Sequence, residues 1–221
     1  MAITPTTLTR GAAVAAVVAG LLFVGVQIGH PHLDASSITS TEVQIRGSLK
    51  FLMAVLSLVG ITGMYLSQIR RNGVLGLIGY LVLATGYLLI TCMTYLAAFV
   101  VPHLATINPA YVDDLINEIT GRASTADVGL LAAAIQVQNY AFLAGGLVFG
   151  IALYRAGVLA RWATALLAVG GVVTILLSVL PDAFYRLLAF PNGIAMVGLG
   201  VSLWLTARST REPASEMVGV A

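Results

Sequence analysis

Between Gly11 and Ala207 the chain carries six apolar stretches, each close to the length that a helix needs to cross a bilayer. Hydrocarbon offers no partner to a backbone N–H or C=O, so such stretches fold as helices that satisfy themselves. The expected fold is therefore all-α: a polytopic six-transmembrane-helix bundle in a single domain spanning 1–221. The spans fall at about 11–29, 51–68, 74–101, 128–153, 162–180 and 191–207. Charge supports this, since only 9% of residues are charged, against roughly 25% in a soluble domain.

The connections carry their own signals. Arg10 ahead of the first span resembles the start of a signal peptide, but the apolar stretch is longer than a signal core and no small-x-small site follows it directly. It is read as a retained helix. Thr39-Ser-Thr-Glu42 has the form of a capping box, after which Glu42, Arg46 and Lys50 recur at four-residue spacing as a solvated ladder. Ile69-Arg-Arg-Asn-Gly73 is a tight basic turn, and Pro102 and His103 are expected to stop the third span. Asn108-Pro109 begins a short amphipathic helix that closes at Gly121 and is expected to lie on the outer membrane surface. Ser124-Thr-Ala-Asp127 is expected to cap the fourth span. Pro191-Asn192-Gly193 interrupts the last apolar region, which sets a short interfacial helix at 183–190 apart from the sixth span.

Six spans place Arg10, Arg70, Arg71, Arg155, Arg161, Arg208 and Arg211 on one side, with Arg46, Lys50, Arg122 and Arg186 on the other. The positive-inside rule makes the first side cytoplasmic, so both termini are expected there, in a plasma-membrane protein. The histidines and the acids Asp34, Glu42, Asp113, Asp114, Glu118, Asp127 and Asp182 then fall outside.

The fourth span is the candidate site. At ~100° per residue, Gln136, Asn139 and Tyr140 share a helical face at a depth where amides need partners. Small residues Gly129, Ala132 and Ala133 hollow that face toward the outer end, and Leu143 and Leu147 close it below. Polar groups at this depth are either glue between helices or the lining of a ligand site. On the third span Tyr80, Tyr87, Thr91 and Thr94 form a second stripe with Tyr95 at its flank, expected to face the first. Tyr87, Thr91, Tyr95, Gln136, Asn139, Tyr140 and Asn192 are thus the candidate substrate-binding residues.

From Gly146 onward the chain resembles an uncharacterised bacterial family of small six-span membrane proteins of unknown function. The resemblance rests on Gly146-Leu-Val-Phe-Gly-Ile-Ala-Leu-Tyr-Arg-Ala-Gly-Val-Leu-Ala-Arg161, the helix after it, and Ser202-Leu-Trp-Leu205. It implies the six-span fold and brings no activity. A likeness of class alone links the chain to integral-membrane terpene cyclases, which are cofactor-free helical bundles with acids close to an apolar cavity.

The chemistry these residues point to is acid–base work on a lipophilic small molecule, of cyclase or isomerase type. Asp182 follows a proline and precedes a helix. It is either an N-cap or, if desolvated, a carboxyl whose raised pKa suits a general acid, although Arg186 four residues on would oppose that rise. Asp113 and Glu118 are the other candidate catalytic acids, on a wet helix face or a lid. Tyr95, Phe99, Phe184, Tyr185 and Phe190 near the outer rim would stabilise a developing cation. A small-solute transporter using the same polar path, or a non-catalytic accessory subunit, are the alternatives. No phosphate loop, dinucleotide fingerprint or His-Glu-x-x-His occurs, so no cofactor is expected. The expected partners are the bilayer and the small molecule, and no nucleic acid. His30, His32, His103 and Asp34 match no firm metal-site spacing, and the single Cys92 excludes an intramolecular disulfide.

Overall fold

The computed structural model describes residues 4–29, 33–120, 122–125, 127–176 and 189–209. Among them the regular structure is helical throughout: α1 Pro5–Gly25, α2 Thr41–Leu66, α3 Ile69–Tyr95, α4 Val101–Ile107, α5 Pro109–Ile119, α6 Leu130–Ala156, α7 Arg161–Leu176 and α8 Ala189–Ser209. Five helices are long and apolar enough to cross a membrane: α1, α2, the continuous rod from α3 to α4, α6 and α8. Over the described residues α7 is a shorter apolar helix.

Local chemistry sets the ends. Thr4 accepts a hydrogen bond from the Thr7 N–H ahead of Pro5, and Asn108 does the same for Tyr111 ahead of Pro109. The α2 cap is Ser40, whose hydroxyl accepts from the Val43 N–H. Thr39, the residue expected there, instead donates to the Ser36 carbonyl. Gly73, at φ 57°, breaks the basic turn Ile69–Asn72 from the rest of α3, and Gly157, at φ 66°, ends α6 in a left-handed cap.

Two proline expectations are corrected. Pro102 does not stop the third span, because the chain passes through a π-helical turn at Leu96–Val100 and Pro102 then falls in the first turn of α4. The π-helical turn widens the helix just ahead of the proline ring, where the lost N–H and the clash with the preceding turn fall. Ala189–Ser209 likewise runs through 191–193 without a break, and residues 183–188, where the short interfacial helix is expected, lie outside the described residues.

The long helices close a ring in which α1 packs on α2, α2 on α3, α3 on α6, α6 on α7, α7 on α8 and α8 on α1, with α2 also touching α8. Small residues make these seams close. A Cβ on Gly79 would lie 2.5 Å from the Phe149 nitrogen, and one on Gly150 would lie 2.6 Å from the Ala168 nitrogen. Lipid tails are as apolar as leucine, so close van der Waals approach is what holds such helices together. Inside the ring, Ile61, Met64, Leu83, Phe149, Leu153, Leu167, Met196 and Leu199 form one buried core.

A second, smaller core caps one end. Beyond the break at Gly73 the rod continues to Ile107 and is about 50 Å long, well over the hydrocarbon thickness. Its far end, with the start of α2, carries Val43, Val101 and Ala105 against Ala35, Ile38, Val112 and Ile116. The apolar side of α5 is thus buried on its own cap. Arg46 is not a rung of a solvated ladder alone. Besides its ion pair to Glu42 at 3.0 Å, it donates to the carbonyls of Val26 and Ile28 and so caps the end of α1.

Candidate functional site

The seam where α2, α3 and α6 meet holds buried polar groups with nothing to bond. Tyr87 on α3 is fully buried, its ring edge-on to Phe142 of α6 at 5.3 Å. Its polar neighbour is Ser57 on α2, also fully buried; the two hydroxyls approach each other, yet neither completes a well-formed hydrogen bond. Gln138 sits one turn from Phe142 on the same face of α6, toward the cap, and its buried carbonyl oxygen is likewise unpartnered. Thr91 and Thr94 border this seam with their hydroxyls committed to their own helix, bonding the carbonyls of Tyr87 and Ile90 at 2.7 Å. Below the seam Tyr80 is satisfied, bonded to Thr62 at 3.1 Å and stacked on Tyr65.

The two polar stripes do not face each other. Phe142, Gly145 and Phe149 turn toward α3, which leaves Gln136, Asn139 and Tyr140 exposed on the other side of α6, with Tyr140 68% accessible. Polarity marks the inside of a helix poorly when the solvent is lipid. The glycines that admit α3 mark it better. Tyr87 and Thr91 do face inward. Tyr95 is half exposed and joins Phe51 and Phe99 in an aromatic cluster, with ring centroids 5.2 to 6.1 Å apart, at the base of the cap. Asn192 is buried on the α7–α8 seam, where its amide donates to the Gly170 carbonyl at 3.4 Å.

The described acids hold the cap together. Asp113 accepts from the Ala35 N–H at 2.7 Å, and Asp114 from the N–H and hydroxyl of Thr125. Asp127 accepts from the Gly129 N–H. Asp34 accepts from the Ser36 hydroxyl at 2.6 Å and from the N–H groups of Ser36 and Ser37. The Ser36 hydroxyl first, then the Ser37 N–H, hold its carboxyl down at about 2. Glu118 is half-buried on α5. Asp182, Phe184 and Tyr185 lie outside the described residues, as do His30 and His32, while Phe190 is half-buried in the first turn of α8. His103 is exposed, and among the described residues no three His, Cys, Asp or Glu side chains gather as a metal site would require.

Two residues of this seam escaped the sequence reading, Ser57 and Gln138. For Gln138 the signal was there: with Phe142, Gly145, Phe149 and Leu153 it recurs at spacings of four, three, four and four, the pattern of a packed helical face. Ser57 stands alone in an apolar span and carries no such pattern. Comparison of the chain with protein-family models, with curated proteins and with solved structures finds no match.

Proposed function

We propose that this is a six-span protein of the plasma membrane that binds a lipophilic small molecule through a hydroxyl-like head at the α2–α3–α6 seam. In this reading both termini are cytoplasmic, the cap of α4 and α5 stands outside, α7 completes the sixth crossing, and the likeness to the uncharacterised six-span family holds. The observation that carries it is the set of three unpartnered polar atoms at Ser57, Tyr87 and Gln138. A buried polar atom without a partner costs about 1–3 kcal/mol, which a polar ligand head entering this seam would offset. The Gln138 carbonyl only accepts, so the head must donate. The two hydroxyls donate or accept, so the head takes either from them. Met53, Ile90 and Phe142, each on or beside this face, offer apolar surface to the tail.

Binding is favoured over acid catalysis at these residues. Asp113 is committed to a backbone N–H in the cap, and no described carboxyl bonds to the seam. A cyclase or isomerase acting on the same ligand would draw its proton from Asp182.

The test is a thermal melt of purified protein in detergent with dodecanol or dodecane added. Dodecanol should stabilise the wild type more than the alkane does. The difference should vanish in S57A/Y87F/Q138L and survive in Q136L. Equal effects of alcohol and alkane on the wild type, or loss of the difference in Q136L alone, would sink the proposal.

A further inference from the structure

A second site lies on the opposite side of the ring, on the outer face of α1 and α8. A groove of about 660 Å³ runs along it, walled by Leu21 and Val24 of α1, Ile194, Val201 and Leu205 of α8, and Trp162 of α7. From Ile194 to Leu205 it is about 16 Å long, close to half the hydrocarbon thickness. That is the run of one acyl chain through one leaflet. At its end, Arg208 lies one turn past Leu205 on the same face. Arg10 lies about three turns before Leu21, again on the same face.

Both arginines reach the same ring: the Arg10 guanidinium is 5.5 Å from the centre of Trp204 and that of Arg208 is 5.4 Å from it. The Nε of Arg10 is buried without a hydrogen-bond partner. No carboxylate among the described residues lies at this end. Asp34, Glu42, Asp113, Asp114, Glu118 and Asp127 all belong to the cap or its base, at the other end of the bundle. Two like charges gathered on one tryptophan, at the depth where aromatic residues meet headgroups, call for an anion. A guanidinium matches a phosphate with paired N–H donors.

We propose that this face binds an anionic phospholipid, with its phosphate between Arg10 and Arg208 and one acyl chain in the groove. It belongs to the leaflet on the side of the α1 N-terminus. The site is independent of the α2–α3–α6 seam.

Of the two tryptophans of the chain, Trp162 lines the groove and Trp204 lies against the two arginines, so intrinsic fluorescence reports occupancy of the acyl-chain and headgroup sites. The protein would be reconstituted in phosphatidylcholine vesicles and titrated with bromoacyl phosphatidylglycerol or bromoacyl phosphatidylcholine. The anionic lipid should quench at a mole fraction lower by about fivefold or more, the factor that one arginine near the surface contributes. R10Q/R208Q should lose that preference while its quenching by bromoacyl phosphatidylcholine stays as in wild type. Equal quenching of the wild type by the two lipids, whether strong or weak, overturns the proposal without recourse to any variant. A preference that persists in R10Q/R208Q overturns it as well.

Discussion

Replacing Gly145 by alanine tests the close approach on which the α3–α6 seam depends. A Cβ there would lie 2.5 Å from the Leu83 Cα and 2.8 Å from its Cβ, where ordinary contact begins at 3.4 Å. The two backbones must part by roughly 1 Å, and a clash with backbone rather than a flexible side chain puts the cost toward the upper end for overpacking, about 2–3 kcal/mol. Alanine returns up to about 1 kcal/mol through its better helix propensity, which leaves a net loss of about 1–2 kcal/mol. For a chain of this length that lowers the melting temperature by about 2–8 °C. Two glycines calibrate the estimate. At Gly86 the new Cβ would sit 3.0 Å from the Phe142 nitrogen, a strain of a few tenths of an ångström, so cost and gain nearly cancel. At Gly11 nothing lies within 4 Å, so alanine should stabilise by up to about 1 kcal/mol. Thermal unfolding in detergent, followed by far-ultraviolet circular dichroism, should rank Gly11→Ala above wild type, Gly86→Ala level with it and Gly145→Ala below. If Gly145→Ala melts at or above the wild-type temperature, the seam is looser than described and the reasoning fails.

Orientation is tested in a Cys92→Ser background, because Cys92 is exposed: new cysteines at Ser36 or Ala123 should react with an impermeant thiol reagent from outside intact cells, and one at Arg71 should not. Labelling at Arg71 alone would invert the topology. Asp34 gives a pH prediction. Its carboxyl is held at about 2, below its ordinary 3.8, so what it contributes to the loop is complete above about pH 4 and is lost as pH falls toward 2. Hydrogen exchange at the Ser36 and Ser37 amides should therefore keep its protection from pH 5 to 8 and lose it between about pH 4 and 2. In Asp34→Ala it should be lost already at neutral pH, and unchanged protection there would refute the assignment.

The helices were legible because length and apolarity are dictated by the bilayer, and five of the expected spans reappear as helices of sufficient length. The Asn108-Pro109 start was legible because that cap depends on two adjacent residues. What sequence could not place was rotation. Gln136, Asn139 and Tyr140 form the most conspicuous polar face, yet α6 turns Gln138 inward, because Gly145 and Phe149 decide how α3 docks. The bonds that the loop acids make were not legible for a related reason. A carboxylate beside serine, threonine and free N–H groups finds local donors, as Asp34 and Asp114 do, and such pairing across a loop leaves no periodic trace.

The π-helical turn at Leu96–Val100 amounts to one residue more than an α-helix would use over the same distance. Its effect is one of phase. The wide turn takes up that residue, so α4 leaves it on nearly the face that an uninterrupted α-helix one residue shorter would give, and Val101 and Ala105 meet Ile38 and Val112. Deleting one residue inside the turn should therefore restore plain α-helix and leave the cap aimed as before, whereas deleting one from the α-helical stretch before it would rotate everything beyond by about 100°. The cap is thus aimed by a count of residues, with a margin of one stored in the turn.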